Sequence, residues 1–521
     1  MSIKSRISWF TPLRLIFIVL VASLVTAAAF YFWPRTAQSA AADSNRQVPQ
    51  ANYWPTNGWQ AASPESQGLL SGELASILNG VQQNRTPIHS WMIASNGYVL
   101  LDAYFYPYDG SILHDMGSAT KSITTILIGI AADKGFLSLD DTMLSFFPDR
   151  TIANPNEWKE QITVRDLVTM SSGLHCDDKG GREWTQDEMR ASDDWVQFVL
   201  DLKAIHEPGT VFAYCSPGSY MLSAILTEAT GMSEFAFAQQ YLFTPLGIEE
   251  VYWPADASGI NYGWGDLAMY PHDMAKIGYL WLNEGVWDGK QILSREWMQE
   301  AIAKQIGTDR GQDYGYGLWL NHDDPFSYMA SGRNGQEIQV IPAFNIVMVK
   351  TGGGYEPAEI DRYLTTAVGN LENGNPENPE GQAQLQEALA AMLLAPAPEP
   401  IPALPAIVER ISGKQYSFEA NGLFESTLTL TFLPSGEAQL EFTVVDEPAP
   451  RITMVGLDGL YRASLAGKPA LARGGWLDER TFSIQYNEGP GLNLLTINLL
   501  FEGDQLQLEV RGIGTFQGQM K

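Results

Sequence analysis

The chain has 521 residues, 45% of them apolar and 18% charged, with fifteen tryptophans. That composition excludes a disordered or fibrous protein and leaves room for more than one folded part. The formal net charge of −28 repels phosphate backbones and excludes nucleic acid as a partner.

In chain order, Lys4, Arg6 and Arg14 precede the uncharged run from Leu15 to Trp33, which as a helix would nearly cross a bilayer. The small-residue stretch from Ala37 to Ala42 suits a signal peptidase. Residues 1–42 therefore read either as a membrane anchor or as a cleaved signal. Both place the rest of the chain outside the cytoplasm, periplasmic or otherwise extracytoplasmic, with residues 15–33 as the candidate anchor. Residues 43–65 carry Pro49, Pro55, Gly58 and Pro64 with little periodicity and read as a tether.

Regular structure is expected from an amphipathic helix beginning near Ser71. Ser90 to Ala94 and Tyr98 to Tyr104 are strand-like and joined through Asn96-Gly97, a dipeptide that favours a type I′ hairpin turn. From Ala119 to Lys134 the apolar residues Ile123, Ile126, Leu127 and Ile130 recur at helical spacing, and Gly135 supplies a stop. The middle of the chain reads as mostly helical, including Asp194 to Leu202, Tyr220 to Thr230 and Ala268 to Leu282. Strand pattern returns at Gln336 to Ile341 and Ile346 to Val349, and a helix follows around Ala383 to Leu394. Early strands, a helical middle and late strands predict one α/β sheet built from both ends, with an inserted helical subdomain.

These elements fill a catalytic domain over 66–395. Residues 396–405 alternate proline with other residues and predict a stiff extended linker. Beyond it the pattern is β throughout, as in Thr427-Leu428-Thr429-Leu430-Thr431-Phe432 and Leu492 to Leu500. Residues 406–521 are thus expected to form a small antiparallel all-β domain, a barrel or a sandwich.

The chemistry concentrates at Ser118-Ala119-Thr120-Lys121, where the chain enters a helix whose free N–H groups favour developing negative charge. Lys121, three residues on, shares a helical face with Ser118 and is within reach of its oxygen. A lysine in a partly apolar site can lose its proton and act as a base. Tyr214-Cys215-Ser216 follows a Glu207-Pro208-Gly209 turn. If extended, it presents Tyr214 and Ser216 on one side and turns Cys215 away. Cys215 and Cys176 are the two cysteines of the chain, and in an exported protein they are expected to pair, worth roughly 3–4 kcal/mol by loop closure. A zinc site from His175, Cys176 and Cys215 is the alternative, though it lacks the usual ligand spacing. A Ser-His-Asp hydrolase is a further one, but no G-x-S-x-G elbow occurs. No metal or cofactor is implied.

Several stretches together resemble the β-lactamase-related serine hydrolase family. They are Gly117-Ser118-Ala119-Thr120-Lys121-Ser122, the Asp166 to Leu174 segment, Phe212-Ala213-Tyr214-Cys215-Ser216, Pro245-Leu246-Gly247-Ile248, Asp273-Met274-Ala275-Lys276 and Gly315-Tyr316-Gly317-Leu318-Trp319. The resemblance spans about residues 60 to 370. It covers class C β-lactamases, penicillin-binding-protein-like esterases, D-aminopeptidases and oligomeric-amide hydrolases. It implies an α/β sheet beside a helical subdomain, with Ser118 as the acylated nucleophile and Lys121 and Tyr214 as its proton-handling partners. The implied substrate is a small or peptide-like ester or amide. A true β-lactamase and a non-catalytic binder of cell-envelope ligands remain as alternatives.

The family's third motif, a strand carrying Lys or His, then Thr or Ser, then Gly, has two candidates. Lys350-Thr351-Gly352 matches by letter but runs into Gly353-Gly354, where a chain turns. Ser331-Gly332-Arg333, ahead of the strand-turn-strand pair, matches by order and is preferred. Backbone N–H groups near Arg333 and of Ser118 would then form the oxyanion hole, and Ser216 would line the substrate site. No Lys or His heads this motif, which puts its grip on a substrate carboxylate in doubt. Since every candidate residue precedes the linker, the β domain is expected to be dispensable for acylation.

Overall fold

The computed structural model describes residues 53–521, apart from 177, 180–181, 355–363, 419–424, 444–449, 466–467 and 490–493. The export segment 1–42, with its apolar run 15–33, lies outside the described residues. Among those described, no helix is long and apolar enough to cross a membrane.

A nine-stranded sheet organises the first domain, and it is built from both ends of that domain. Strand Ile88–Ser95 forms a hairpin with Tyr98–Tyr104 and pairs on its other side with Ile346–Gly352. The hairpin turn is made by Asn96 and Gly97, at φ 53° and 85°, the left-handed values a type I′ turn requires. From Ile346–Gly352 the sheet continues antiparallel through Gln336–Ile341, Ser327–Gly332 and Trp319–Asn321 to two short edge strands.

Every position of Ile88–Ser95 is buried, because both faces of the sheet are covered. Trp91 and Ile93 point into one core, with helices Ser71–Gln83 and Pro379–Leu393. Met92 and Ala94 point into the other, larger one. That alternation is the two-residue period of a strand. The larger core receives helix Thr120–Asp133, which is buried along almost its whole length, together with Ser216–Thr230 and Pro271–Leu282. Each fully buried Leu or Ile side chain contributes about 1.5–3 kcal/mol, so Thr120–Asp133 is a fixed axle of the domain.

Three expectations need correction. The segment read as a tether is part of the domain from Tyr53 on. Trp54 packs on Tyr279 and Trp287, and Gln60–Ala61 adds a parallel strand beside Tyr98–Val99. The helix expected from Ala268 begins at Pro271, whose missing N–H suits a first turn, and Ala268–Met269 instead pairs with His114–Asp115. The helix expected from Tyr220 starts earlier, at Ser216.

Residues 396–405 run without regular structure, tied to the second domain by the Glu399 N–H on the Asp458 carbonyl. That domain is a ten-stranded sheet in the order of a meander, closed into a barrel where Gly456 meets Arg473. Leu428, Leu430, Leu440, Ile484, Leu499 and Leu508 fill the interior, while residues such as Thr429 and Glu441 alternate outward. The barrel docks on the stretch between the hairpin and Ser118. Tyr108 and Ile112 pack against Leu471, and Asn487 Nδ2 donates to Tyr108 Oη at 2.5 Å.

Candidate active site

The turn that carries Ser118 is assembled from its own backbone. Met116 N–H donates to the Leu267 carbonyl, and Gly117 adopts φ 52°, a left-handed value that costs glycine little. Gly117–Ala119 forms a 3-10 turn leading directly into helix Thr120–Asp133. The Gly117 N–H donates to Asp115 Oδ1 at 2.6 Å, and Thr120 Oγ1 donates back to the Gly117 carbonyl at 2.7 Å. Ser118 is half-buried at the mouth of this turn.

Lys121 lies one helical step below and is 3% exposed. Its Nζ donates to Ser118 Oγ at 3.1 Å and to the Trp264 carbonyl at 2.9 Å. The same Nζ stands 4.7 Å from the centre of the Tyr214 ring. Sequence-distant Tyr214 is therefore brought to Ser118 and Lys121. Tyr214 is wedged from several directions. Its ring stacks on Trp319 at 6.2 Å, and the Arg310 guanidinium lies 5.2 Å from it and 5.5 Å from Trp319. Ala213 N–H donates to the Met170 carbonyl at 2.8 Å. Met170 itself holds φ 56°, an unfavourable value for a side chain of that size. A disulfide joins Cys176 to Cys215 and ties the Tyr214 segment to the same loop. Because the two sulfurs are bonded to each other, the zinc alternative falls.

Of the two third-motif candidates, Ser331-Gly332-Arg333 adjoins the Ser118 turn. A β-carbon on Gly332 would stand 2.1 Å from the Met116 carbonyl oxygen and 3.1 Å from both Ser118 N and Ala119 N. Ser331 is half-buried one residue earlier. Lys350, by contrast, is two strands away from Ser331 in register, fully buried and paired with Glu337 at 2.7 Å. Thr351 bonds Ser90 at 2.6 Å.

Two of the expected substrate contacts are placed otherwise. Ser216 opens the helix Ser216–Thr230, with Pro217 behind it. Its hydroxyl is sealed in the interior with no hydrogen-bond partner among the described residues. Arg333 does not point a spare cation at the site. Its Nη2 is 3.0 Å from Asp266 Oδ1 and 3.4 Å from Asp115 Oδ2.

Asp115, Asp266, Arg310 and the Trp264 carbonyl carry no motif and were not legible as site residues. Burial and the neighbouring Asp266 push the Asp115 carboxyl up to about 6, against the pull of Arg333 and Lys468. Burial also pushes Asp266 up, but Lys468, Arg333 and Arg190 outweigh it and hold that carboxyl below the usual range. Asp115 is thus the member of the pair that protonates first. Four of the six histidines are engaged with other groups: His89 Nδ1 is 2.8 Å from His114 Nε2, and His272 and His322 meet Asp102 and Asp313. A Ser-His-Asp arrangement at Ser118 has no support from these contacts.

A serine whose oxygen meets a buried lysine on the next helical turn, beside a tyrosine ring, coincides with a family match over residues 75–371 to Beta-lactamase. The chain belongs to the Beta-lactamase family. It is 21% identical over 318 residues to the 6-aminohexanoate-dimer hydrolase of Paenarthrobacter ureafaciens, a match covering 57% of this chain and 81% of that protein. It is 26% identical over 162 residues to the beta-lactamase of Escherichia coli (strain K12), covering 30% of this chain and 40% of that one. Among solved structures it is similar to a family VIII carboxylesterase at 15% identity, with a TM-score of 0.47 over 64% of this chain and 99% of the other. As a Beta-lactamase family member, the chain falls in the serine hydrolase superfamily.

Proposed function

We propose that the protein is an acyl-transferring hydrolase that forms an acyl-enzyme on Ser118 and hydrolyses a neutral ester or amide outside the cytoplasm. The 3.1 Å contact between Lys121 Nζ and Ser118 Oγ carries this reading, because it gives the hydroxyl a partner able to take its proton. Tyr214, beside the same Nζ, would relay that proton to the leaving group. The Ser118 N–H, close against the Gly332-Arg333 backbone, would stabilise the tetrahedral oxyanion by about 3–4 kcal/mol per donor. Water would then release the acid and restore Ser118. The disulfide and the apolar run 15–33 support an extracytoplasmic site.

The substrate preference follows from Arg333. A cephalosporin brings a carboxylate beside its ring, and Arg333 already faces two aspartates. Forgoing one charge-assisted hydrogen bond costs roughly 1.5–3 kcal/mol, or about 10- to 150-fold in rate. A neutral ester forgoes nothing. Two measurements test the reading. Fluorophosphonate labelling should map to Ser118 and vanish in Ser118→Ala, and kcat/KM for a short-chain nitrophenyl ester should exceed that for a chromogenic cephalosporin. Labelling at another serine would overturn the nucleophile assignment. An equal or higher cephalosporin value would return β-lactamase to first place and point to Arg310, over Tyr214, as the carboxylate grip.

A further inference from the structure

The barrel reaches the turn that carries Ser118. Gly489, at the end of the barrel strand Thr481–Glu488, lies against Asp115: a β-carbon there would be 3.4 Å from Asp115 Cβ and 3.8 Å from its Oδ2. The same point is 3.1 Å from Lys468 Cε, so the Lys468 stem and the Asp115 carboxylate flank one position. Lys468 is itself held by Glu488 at 3.3 Å, and Glu488 is paired with Arg451. Asp115, with its side chain 2% exposed, holds the Gly117 N–H, one residue from the nucleophile. The serine turn is thus supported through a carboxylate whose outer side is closed by the second domain.

We infer that Lys468, supplied by the barrel, is a positioning residue for Ser118: it seats the Asp115 carboxylate on which the Gly117 N–H rests. The barrel is then part of the catalytic unit, contrary to the expectation from sequence that it is dispensable for acylation. The charged groups facing Asp115 are Asp266 and Arg333 from the catalytic domain and Lys468 from the barrel. Its neighbour His114, buried and depressed to about 3, stays neutral above pH 5. An ionised Asp115 accepts the Gly117 N–H strongly, and a protonated one accepts it weakly. Removing Lys468 takes away an ion that favours the charged carboxylate, so Asp115 protonates at a higher pH.

The inference rests on Ser118 as the nucleophile, and its test keeps the two apart. Rates of fluorophosphonate labelling are measured from pH 5 to 9 on the full chain for wild type, Lys468→Met and Lys468→Arg, with the labelled residue identified by mass spectrometry. Any titration common to all three proteins cancels in the ratio of variant to wild type. For Lys468→Met that ratio should be level above pH 8 and fall as the pH drops through 7, reaching roughly 3- to 10-fold near pH 5, the effect of a shift of about half to one unit. Lys468→Arg should restore a level ratio. In Asp115→Asn, which keeps an acceptor but cannot ionise, adding Lys468→Met should introduce no pH-dependent fall. A pH-independent ratio for Lys468→Met, with wild type labelled at Ser118, would overturn the inference and leave the nucleophile standing. Wild-type labelling elsewhere would overturn the nucleophile and the inference with it.

Discussion

Gly332→Ala offers a direct test of how the third motif meets the nucleophile. Gly332 has φ −127° and ψ 158°, extended backbone that alanine adopts freely, so any effect comes from space alone. The added β-carbon would stand 2.1 Å from the Met116 carbonyl oxygen, more than about 1 Å inside a normal C···O separation. It would also stand 3.1 Å from Ser118 N and Ala119 N. These are backbone atoms of a turn locked to a buried helix, and they cannot swing aside as a flexible side chain would. Strand Ser327–Gly332 and the Ser118 turn must therefore part by roughly 1 Å. Overpacking of this kind costs about 1–3 kcal/mol in stability, and a 1 Å displacement at a reacting centre about 100-fold in rate. The assays are labelling rate, ester turnover and thermal unfolding, with Gly475→Ala as control, since a β-carbon there meets nothing within 4 Å. The control should label at the wild-type rate. Wild-type labelling and melting in Gly332→Ala would refute the apposition of strand and turn, and with it the oxyanion site placed between them.

The remaining expectations concern the nucleophile and the disulfide. Ser118→Ala should remove labelling yet shift unfolding by no more than about 1 kcal/mol, the scale of a helix-start hydroxyl, because the contacts that fix its helix lie further along; circular dichroism melting checks this. The Cys176–Cys215 bridge ties the Tyr214 segment to the loop that carries Met170, so reduction should lower ester turnover before the fold melts, read by assaying activity and ellipticity across a reductant series. Thiol titration of the denatured, unreduced protein should find no free thiol, and two would refute the bridge.

What could be read from the sequence follows from how each signal is carried. Ser118 and Lys121 are legible because a three-residue spacing at a helix start has one geometric meaning. The cysteine pairing is legible because the chain has two cysteines. The single sheet is legible from strand patterns at both ends of the domain, and the hairpin from Asn96-Gly97. Ser216 departs from the expectation because it opens a helix packed into the larger core, and the burial of one hydroxyl leaves no mark in local spacing. The tether was misread because Gln60–Ala61 is a two-residue strand, too short to show a period. Asp115, Asp266 and Lys468 are single charged residues in unpatterned segments. Their meaning lies in a meeting in space, across more than about three hundred and fifty positions of sequence between Asp115 and Lys468, for which no local spacing exists.

That meeting bears on substrate choice. Around the nucleophile turn three acids, Asp115, Asp266 and Glu488, are ion-paired with three bases, Arg333, Lys468 and Arg451, while Arg190 adds its pull on Asp266. Each base in the set already faces an acid of the set, and two of the three bases come from the barrel. A cluster balanced in this way adds little net field at Ser118. Stabilisation of a developing oxyanion then falls to the backbone N–H groups and the helix start, which act equally on any acyl group. An anionic substrate would need a cation drawn out of this set, leaving an aspartate beside the reacting centre uncompensated. The charge arrangement thus supports a neutral ester or amide on the same grounds that it assigns the barrel a place in the site: without Lys468 the balance around Asp115 tips toward negative charge, where an oxyanion is least welcome.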